Sequence, residues 1–409
     1  MSAIRQPYLA PLTGVRFLAA LGVVLFHLEH QFLDGLPDPL LQIIDRGYVG
    51  VGLFFVLSGF ILVYTYATGS ADGRIDARSF WSARIARIYP VYLLSFCLAA
   101  PLFFSSIFAQ DPASVAAEKT ALTIAIVPTM GEVWTLLPAL LWHLPGWSFA
   151  TPTLDWNFPA WSLCAEAFFY ALFPLLVAWL ARLSTRALIT TLPLCWLLAV
   201  VAPVVYGLNP AATYPSDHQI AAWSWVINYT PIFRLPEFAF GAVLGQLFLR
   251  TATERWRQRQ FWLSTIAAPL SLVLLFGCFI VIRDVPGLLL ANGLFDPLFG
   301  LLIYSLAIGG GGLGWLLSRR PIVLLGEASY ALYLLHVPIW DLLARLAGDT
   351  GRGAYASQIW YFWAYLAIAI SLSVLTHLLV ERPARRALRQ LMNEWVTHPR
   401  PVPARVQPA

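Results

Sequence analysis

The chain has 409 residues, of which 59% are hydrophobic and only 11% are charged, with a mean hydropathy of +0.70. Because a soluble domain carries about 25% charged residues, this composition excludes an ordinary soluble enzyme. The net charge of +5 comes almost entirely from arginines in short stretches between apolar runs. That distribution is typical of membrane-protein loops and argues against a nucleic-acid partner, so the lipid bilayer is the first partner that the sequence predicts.

Ten apolar runs are each long enough to span a bilayer, which requires about 20 residues. We expect an all-α polytopic membrane protein with spans near 13–32, 48–68, 88–109, 162–181, 187–206, 234–249, 261–282, 288–308, 326–346 and 359–380. A further apolar stretch, 121–142, is interrupted by Pro128, Gly131, Glu132 and Pro138. Such breakers and a charge make a continuous spanning helix unfavourable there.

The positive charges decide whether 121–142 crosses the membrane. If it does not cross and the N-terminus is cytoplasmic, 19 positive charges lie inside and 6 outside, with Arg16 within the membrane. If it crosses, the counts become 9 inside and 16 outside, against the positive-inside rule. We therefore predict ten crossings, with 121–142 as a broken, re-entrant or interfacial segment. Residues 1–12 form a cytoplasmic N-terminus, 13–382 the transmembrane domain, and 383–409 a basic, then proline-rich cytoplasmic tail.

The first span carries Arg16 near its start and His27 near its end. The two residues are eleven positions apart, so they share one helix face, roughly 16 Å apart along the axis. Ionisable groups inside a bilayer are costly and usually mark a pathway or a reaction site. The alternative is that Arg16 snorkels to the lipid headgroups and that His27 bonds to a neighbouring helix.

The run FWSARIARIYPVY places Arg84 and Arg87 on one helix face at the cytoplasmic mouth of the third span, with Tyr89 following. Two adjacent guanidinium groups suit a phosphate or pyrophosphate. The alternative is the ordinary positive flank of a membrane span, and the spacing alone does not decide between the two.

The run NFPAWSLCAEAFFYALFP carries Glu166 one turn into a span, with Trp161 and Ser162 at its entry. We expect Glu166 at about the depth of His27, where a carboxylate and an imidazole would form an acid–base pair. The alternative is a lone Glu that bonds to a neighbouring helix, although a Glu inside a span is expensive.

Two later runs also place polar groups in apolar helices. TPIFRLPEFAFGAVLG brings Arg234 and Glu237 to the outer mouth of a span, where they either pair with each other or grip a polar substrate. LLGEASYALYLLHVP places Ser329, Tyr333 and His336 on one helix face, although a core histidine is the commoner explanation for His336 alone. The four cysteines have no pairing or metal-ligand spacing, and we expect no metal.

These residues together resemble the acyltransferase-3 family, bacterial integral-membrane O-acyltransferases that modify lipopolysaccharide, exopolysaccharide and other cell-surface or secreted glycans. The resemblance covers about Pro11 to Arg386. Its landmarks, in family order, are Arg16 with His27, FFVLSGF at 54–60, Arg84 and Arg87 with Tyr89-Pro90, WSLCAEAFFY at 161–170 and SYALYLLHVP at 329–338. Many members carry an additional SGNH esterase-like domain. This chain ends soon after its last span, so we expect it to act alone.

The resemblance implies an acyl-CoA donor, usually acetyl-CoA, on the cytoplasmic side of the bacterial inner membrane and a sugar hydroxyl as acceptor on the outer side. It implies that His27 is the general base, that Glu166 orients His27 or stabilises its charged form, and that the arginine pair holds the CoA phosphates. The predicted site residues are His27, Glu166 and Arg16 for catalysis, Arg84, Arg87 and Tyr89 for CoA binding, and Trp161, Ser162, Arg234, Glu237 and His336 for substrate binding.

A second hypothesis comes from another functional class. A transporter or flippase that uses Arg16, His27 and Glu166 as a proton or substrate relay also fits a polytopic chain with buried ionisable groups. Transporters often contain inverted repeats, which we do not find in this sequence. The sequence does not determine the acceptor glycan, the acyl group, direct or covalent transfer, or the oligomeric state.

Overall fold

The structure, a computed structural model, describes residues 7–32, 36–67, 75–107, 157–208, 224, 226–251, 253–282, 285–346 and 359–397. Its helices are α1 (Ala10–Phe32), α2 (Asp38–Asp45), α3 (Gly50–Tyr66), α4 (Ala77–Ile107), α5 (Trp161–Arg182), α6 (Thr185–Gly207), α7 (Pro231–Thr251), α8 (Glu254–Val281), α9 (Gly287–Ala291), α10 (Asp296–Ile308), α11 (Gly311–Leu317), α12 (Arg320–Leu346), α13 (Ile359–Thr376) and α14 (Arg382–Thr397). A 3-10 turn, Phe158–Ala160, leads into α5, and a π-helical turn, His377–Glu381, joins α13 to α14.

Ten helical stretches within the described ranges are long and apolar enough to cross a membrane, and each overlaps a predicted span. The chain is therefore an all-α polytopic membrane protein, as the sequence predicts. The third stretch begins at Ala77 rather than at residue 88, so Arg84 and Arg87 lie well inside a helix. The predicted broken segment at 121–142 and the proline-rich end of the tail lie outside the described residues.

Helices α3, α7 and α12 belong to the most deeply buried spans and form the centre of the bundle. Helices α3 and α7 approach closely because each presents a glycine to the backbone of the other. A Cβ atom at Gly59 would collide with the carbonyl of Phe238, and one at Gly241 with the carbonyl of Val56. Small residues permit close contact between membrane helices, so Gly59 and Gly241 allow α3 and α7 to pack against each other.

Helices α6, α8 and α13 form the periphery. They are the least buried of the spans and expose large apolar side chains such as Leu197, Ile266 and Trp363. A soluble monomer rarely exposes apolar surface on this scale, so these faces are the ones that contact lipid. The polar groups that carry chemistry are then expected toward the bundle interior, on α1, α3, α5 and α7.

Candidate active site

Two cavities follow one another along α1, α3 and α5. The larger, of about 450 Å³, is called the His27 cavity; the smaller, of about 50 Å³, is called the Arg16 cavity. On α1 the nearest lining residues of the two cavities are Val23 and Arg16, and on α3 they are Val51 and Phe54. At 1.5 Å per residue these steps are only about 5–10 Å along the helix axes, so the cavities lie end to end.

The His27 cavity is lined by residues of α1, α3, α5, α7, α9 and α12 and of the segments that precede α3, α5 and α7. They are Val23, Phe26, His27, Tyr48, Val51, Phe158, Pro159, Trp161, Ser224, Asn228, Tyr229, Arg234, Gly287, Leu288, Ala291 and Tyr333.

The hydrogen bonds of His27 determine which ring nitrogen carries the proton. Its Nδ1 lies 2.8 Å from the carbonyl oxygen of Val23 and 3.3 Å from Nε2 of His336. A carbonyl oxygen only accepts, so Nδ1 of His27 carries the hydrogen. In the neutral ring Nε2 is therefore an unprotonated acceptor, which is the state that a general base requires.

His336 is fixed in the same way, because its Nδ1 lies 2.6 Å from the carbonyl oxygen of Tyr333 and so donates to it. Its Nε2 is then the acceptor that faces His27. His336 is buried and is not among the described residues that line either cavity. His336 therefore lies in a position to hold the His27 ring in place. The sequence predicts instead that His336 contacts the substrate.

A chain of polar side chains runs from the wall of the His27 cavity into the bundle. Asn292 Nδ2 donates to Asn228 Oδ1 at 3.2 Å, and Asn292 Oδ1 accepts from the guanidinium of Arg234. Arg234 also donates to the carbonyl of Ala291 at 2.7 Å and lies 3.2 Å from the carboxylate of Glu237. Arg234 and Glu237 therefore pair, which is one of the two outcomes that the sequence allows.

Aromatic rings form much of the remaining wall. The ring of Trp161 packs edge-on against Tyr229 with centroids 4.9 Å apart, and the Arg234 guanidinium lies 5.9 Å from the Trp161 ring. Burial raises the pKa of Tyr229, so its hydroxyl stays protonated at neutral pH and remains a hydrogen-bond donor. The predicted entry residue Trp161 therefore lies in the cavity wall.

The Arg16 cavity is small and rich in charge. Its described lining residues are Arg16, Phe54, Leu57, Ser58, Ile61, Leu62, Arg84, Arg87, Glu166 and Tyr170. Arg84 donates to the hydroxyl of Tyr66 at 3.0 Å, and the hydroxyl of Tyr170 donates to Glu166 at 3.1 Å. Glu166 and Glu381 both lie close enough to Arg16 and Arg87 to attract them electrostatically. The predicted arginine pair and Arg16 thus share one site.

The predicted pairing of Glu166 with His27 is not the arrangement found. Glu166 lines the Arg16 cavity, whereas His27 contacts His336. The reason is that the turn before α5, and not Glu166 itself, lies at the depth of His27 in the bundle. The ring centroid of Phe158 in that turn is 6.3 Å from the ring centroid of His27. Glu166 follows eight residues later, about 12 Å deeper along the axis, and this depth matches that of Arg16.

The other predicted residues lie around these cavities. Ser162 is buried and donates to the carbonyl of Pro159 at 3.1 Å. Tyr89 packs edge-on against Tyr92 with ring centroids 6.3 Å apart and is absent from the described lining of both cavities. The side chains of Ser162 and Tyr89 therefore do not line the His27 cavity or the Arg16 cavity as described.

Sequence reasoning missed Asn228, Tyr229 and Asn292. One signal was present, because Asn292 lies inside the apolar run 288–308, where a polar side chain needs a partner. The partner itself, Arg234, is 58 residues away in the chain and becomes visible only in three dimensions.

A second polar cluster surrounds the π-helical turn at the end of α13. His377 Nδ1 lies 2.8 Å from the carboxylate of Glu381, and Glu327 pairs with Arg382. Glu381 is buried. The turn therefore connects α12 and α14 to the arginines of the Arg16 cavity.

The comparisons with known proteins identify the family of the chain. The acyltransferase-3 family model, described as an acyltransferase domain, matches residues 10–378. The acyltransferase MdmB of Streptomyces mycarofaciens is 32% identical over 402 residues, which cover 93% of this chain and 92% of the relative.

Two further relatives are longer than the region matched. The O-acetyltransferase OatA of Staphylococcus aureus strain NCTC 8325 is 25% identical over 81% of this chain and 50% of its own length. The putative peptidoglycan O-acetyltransferase YrhL of Bacillus subtilis strain 168 is 26% identical over 95% of this chain and 58% of its own length. No solved structure matches the chain significantly. With a family match over most of its length and ten apolar helices, this multi-pass membrane acyltransferase belongs to the acyltransferase-3 family.

Proposed function

We propose that this acyltransferase moves an acyl group, acetyl in the first instance, from cytoplasmic acyl-CoA to a hydroxyl group of a cell-surface or secreted glycan. The observation that carries the proposal is the geometry of His27, which lines a cavity of about 450 Å³. The Val23 carbonyl accepts the Nδ1 hydrogen of His27, so its Nε2 can accept a proton from a group in that cavity. An alcohol is a weak nucleophile, so its acylation requires such a base.

The His27 cavity is the acceptor site. Its volume falls within the range of about 300–1,000 Å³ that is common for small-molecule pockets. Aromatic faces such as Trp161 and Tyr229 suit the apolar faces of a sugar ring, while Asn228 and Arg234 suit its hydroxyl groups. The printed names of OatA and YrhL, an O-acetyltransferase and a putative peptidoglycan O-acetyltransferase, support a hydroxyl acceptor in a glycan.

The Arg16 cavity is the donor side. The positive charge that CoA phosphates require comes from Arg16, Arg84 and Arg87. The positive-inside rule assigns the N-terminal end of α1, which carries Arg16, to the cytoplasm. The cavity has room for little more than a water molecule or two, so the nucleotide docks at its cytoplasmic mouth and the pantetheine arm enters the bundle.

The reaction follows from these positions. Nε2 of His27 takes the proton of the acceptor hydroxyl while the oxygen attacks the thioester carbon. The carbon–sulfur bond breaks, and the departing CoA thiolate recovers the proton from His27. His336 stabilises the charged imidazolium because its Nε2 shares the Nδ1 hydrogen of His27 with the Val23 carbonyl. Asn228 and Tyr229 are the nearby N–H and O–H donors for the tetrahedral oxyanion.

Glu166 is a positioning residue in this scheme. Its carboxylate lines the donor cavity and attracts Arg16 and Arg87, so it holds the guanidinium groups in place for the phosphates. The transporter alternative is not carried further, because the family and its named relatives are acyltransferases.

The test uses purified protein in lipid nanodiscs and follows CoA release from acetyl-CoA with a panel of peptidoglycan, O-antigen and exopolysaccharide fragments, with mass spectrometry of the acylated product. We expect acceptor-dependent release that falls about 10²–10⁴-fold in His27→Ala, since that is the usual contribution of a general base. Leu25→Ala, on the same helix and absent from the described lining of both cavities, is the matched control.

Two outcomes would contradict the proposal. Release that survives in His27→Ala would remove His27 as the base. No release with any acceptor, together with no measurable acetyl-CoA binding, would remove the acyl-CoA donor.

A further inference from the structure

One aromatic contact separates the two cavities. Phe54 belongs to the wall of the Arg16 cavity, and Tyr333 belongs to the wall of the His27 cavity. The two rings pack edge-on, with centroids 6.0 Å apart and an interplanar angle of 73°. Because each ring belongs to a different cavity and the rings contact each other, the pair forms a partition at this point.

The two rings are held differently. The side chain of Tyr333 is buried, and its ring packs against the ring of His336 with centroids 6.2 Å apart. The backbone carbonyl of Tyr333 also accepts from Nδ1 of His336, so Tyr333 is held against the residue that contacts His27. Phe54 is half-buried, and its ring has no polar atom with which to form a comparable anchor. Phe54 is therefore the more easily displaced half of the partition.

One neighbouring position on the lining helices is small. Ala20 lies on the α1 face shared by Arg16 and His27, between the two, and it is fully buried. Its methyl group occupies little space on the α1 side of the junction between the cavities. The width of a passage between the cavities therefore depends on the Phe54 and Tyr333 rings that contact each other there.

We propose that Phe54 and Tyr333 form the constriction at which the acyl thioester is held, and that this constriction sets the size of the acyl group transferred. The proposal rests on the proposed function. If the donor arm enters from the Arg16 cavity and the acceptor occupies the His27 cavity, the thioester carbon must reach their junction. A short acyl group fits beside the packed rings, whereas each further methylene group collides with the Phe54 ring.

The experiment compares kcat/KM for acetyl-, butyryl- and hexanoyl-CoA in nanodiscs, with an acceptor that supports turnover by the wild-type protein. We expect Phe54→Ala to raise the hexanoyl-to-acetyl ratio by about tenfold or more, since one methylene group in a pocket is commonly worth about 10–200-fold. Phe54→Trp should lower the butyryl-to-acetyl ratio. Tyr333→Phe keeps the ring and should change the ratios less than Phe54→Ala does.

Phe60→Ala is the matched control. Phe60 lies on the same helix, is fully buried, and packs between Tyr64 and Phe248 rather than against either described cavity. It loses the same atoms and should lower thermal stability without changing the acyl preference.

The outcomes separate the two proposals. Wild-type protein that transfers no acyl group from any CoA thioester would overturn the proposed function. Wild-type turnover with an unchanged hexanoyl-to-acetyl ratio in Phe54→Ala, or with the same shift in Phe60→Ala, would overturn only the constriction. If Phe54→Ala does not fold, Phe54→Leu and Phe54→Trp measure the same ratio in both directions.

Discussion

The His27 cavity and the Arg16 cavity share three helices but differ in size and charge. The first has about 450 Å³ and is walled mainly by aromatic and apolar groups, with Asn228 and Arg234 among its polar residues. The second has about 50 Å³ and gathers Arg16 with the Arg84 and Arg87 pair. A wide wall of rings and amides suits an uncharged polyhydroxyl compound, and a narrow, cationic site suits an anionic one. About two turns of α1 separate the nearest lining residues of the two cavities, Val23 and Arg16.

The largest expected effect concerns Arg234, the one arginine among the described residues that line the His27 cavity. Arg234 is buried beside two fully buried carboxylates, Glu237 and Asp296. Arg234→Ala leaves those carboxylates without their cation, and removal of one partner of a buried ion pair commonly costs about 3–5 kcal/mol. We expect a large fall in the thermal unfolding midpoint in detergent, measured beside Arg389→Ala, which removes an exposed arginine.

An unchanged midpoint in Arg234→Ala would contradict this interpretation. It would mean that Glu237 and Asp296 do not depend on Arg234 as their cation.

The second expected effect concerns the donor side. Arg87→Ala should raise KM for acetyl-CoA by about 10–100-fold, because hydrogen bonds to charged groups contribute about 1.5–3 kcal/mol. KM for the acceptor should stay within the error of the measurement. Initial rates at varied donor and acceptor concentrations separate the two constants, with Arg389→Ala as the control. Equal increases in both KM values would show that the cavities do not divide donor from acceptor.

The sequence predicts the membrane spans well because lipid imposes a minimum apolar length on every crossing helix. It also places Arg16 and His27 on one face of α1, since that relation depends only on helix geometry. The error at Glu166 is of another kind. The depth of α5 relative to α1 depends on the turn Phe158–Ala160 and its contact with His27. The sequence of a single helix does not determine its position along the axis of a neighbouring helix.

The third prediction tests the corrected position of Glu166. If Glu166 positions Arg16 and Arg87, Glu166→Gln should raise KM for acetyl-CoA about three- to tenfold, because Glu166 acts on the donor only through these arginines and an ordinary hydrogen bond contributes about 0.5–1.5 kcal/mol. The pH dependence of kcat should keep its shape, because the base at His27 is untouched. Steady-state rates between pH 5 and 9 provide both readouts. A changed pH profile with an unchanged donor KM would instead support the acid–base pair that the sequence predicts.

The smallest expected effect concerns His336. Its Nε2 accepts from Nδ1 of His27 at 3.3 Å, and such a bond contributes about 0.5–1.5 kcal/mol. His336→Leu should therefore lower kcat about two- to tenfold without changing either KM, whereas His336→Gln, which retains an acceptor, should recover part of the loss. A higher KM for the acceptor with an unchanged kcat would place His336 at the substrate. Because burial behind His27 gives the acceptor no described route to this ring, the effect is expected in kcat.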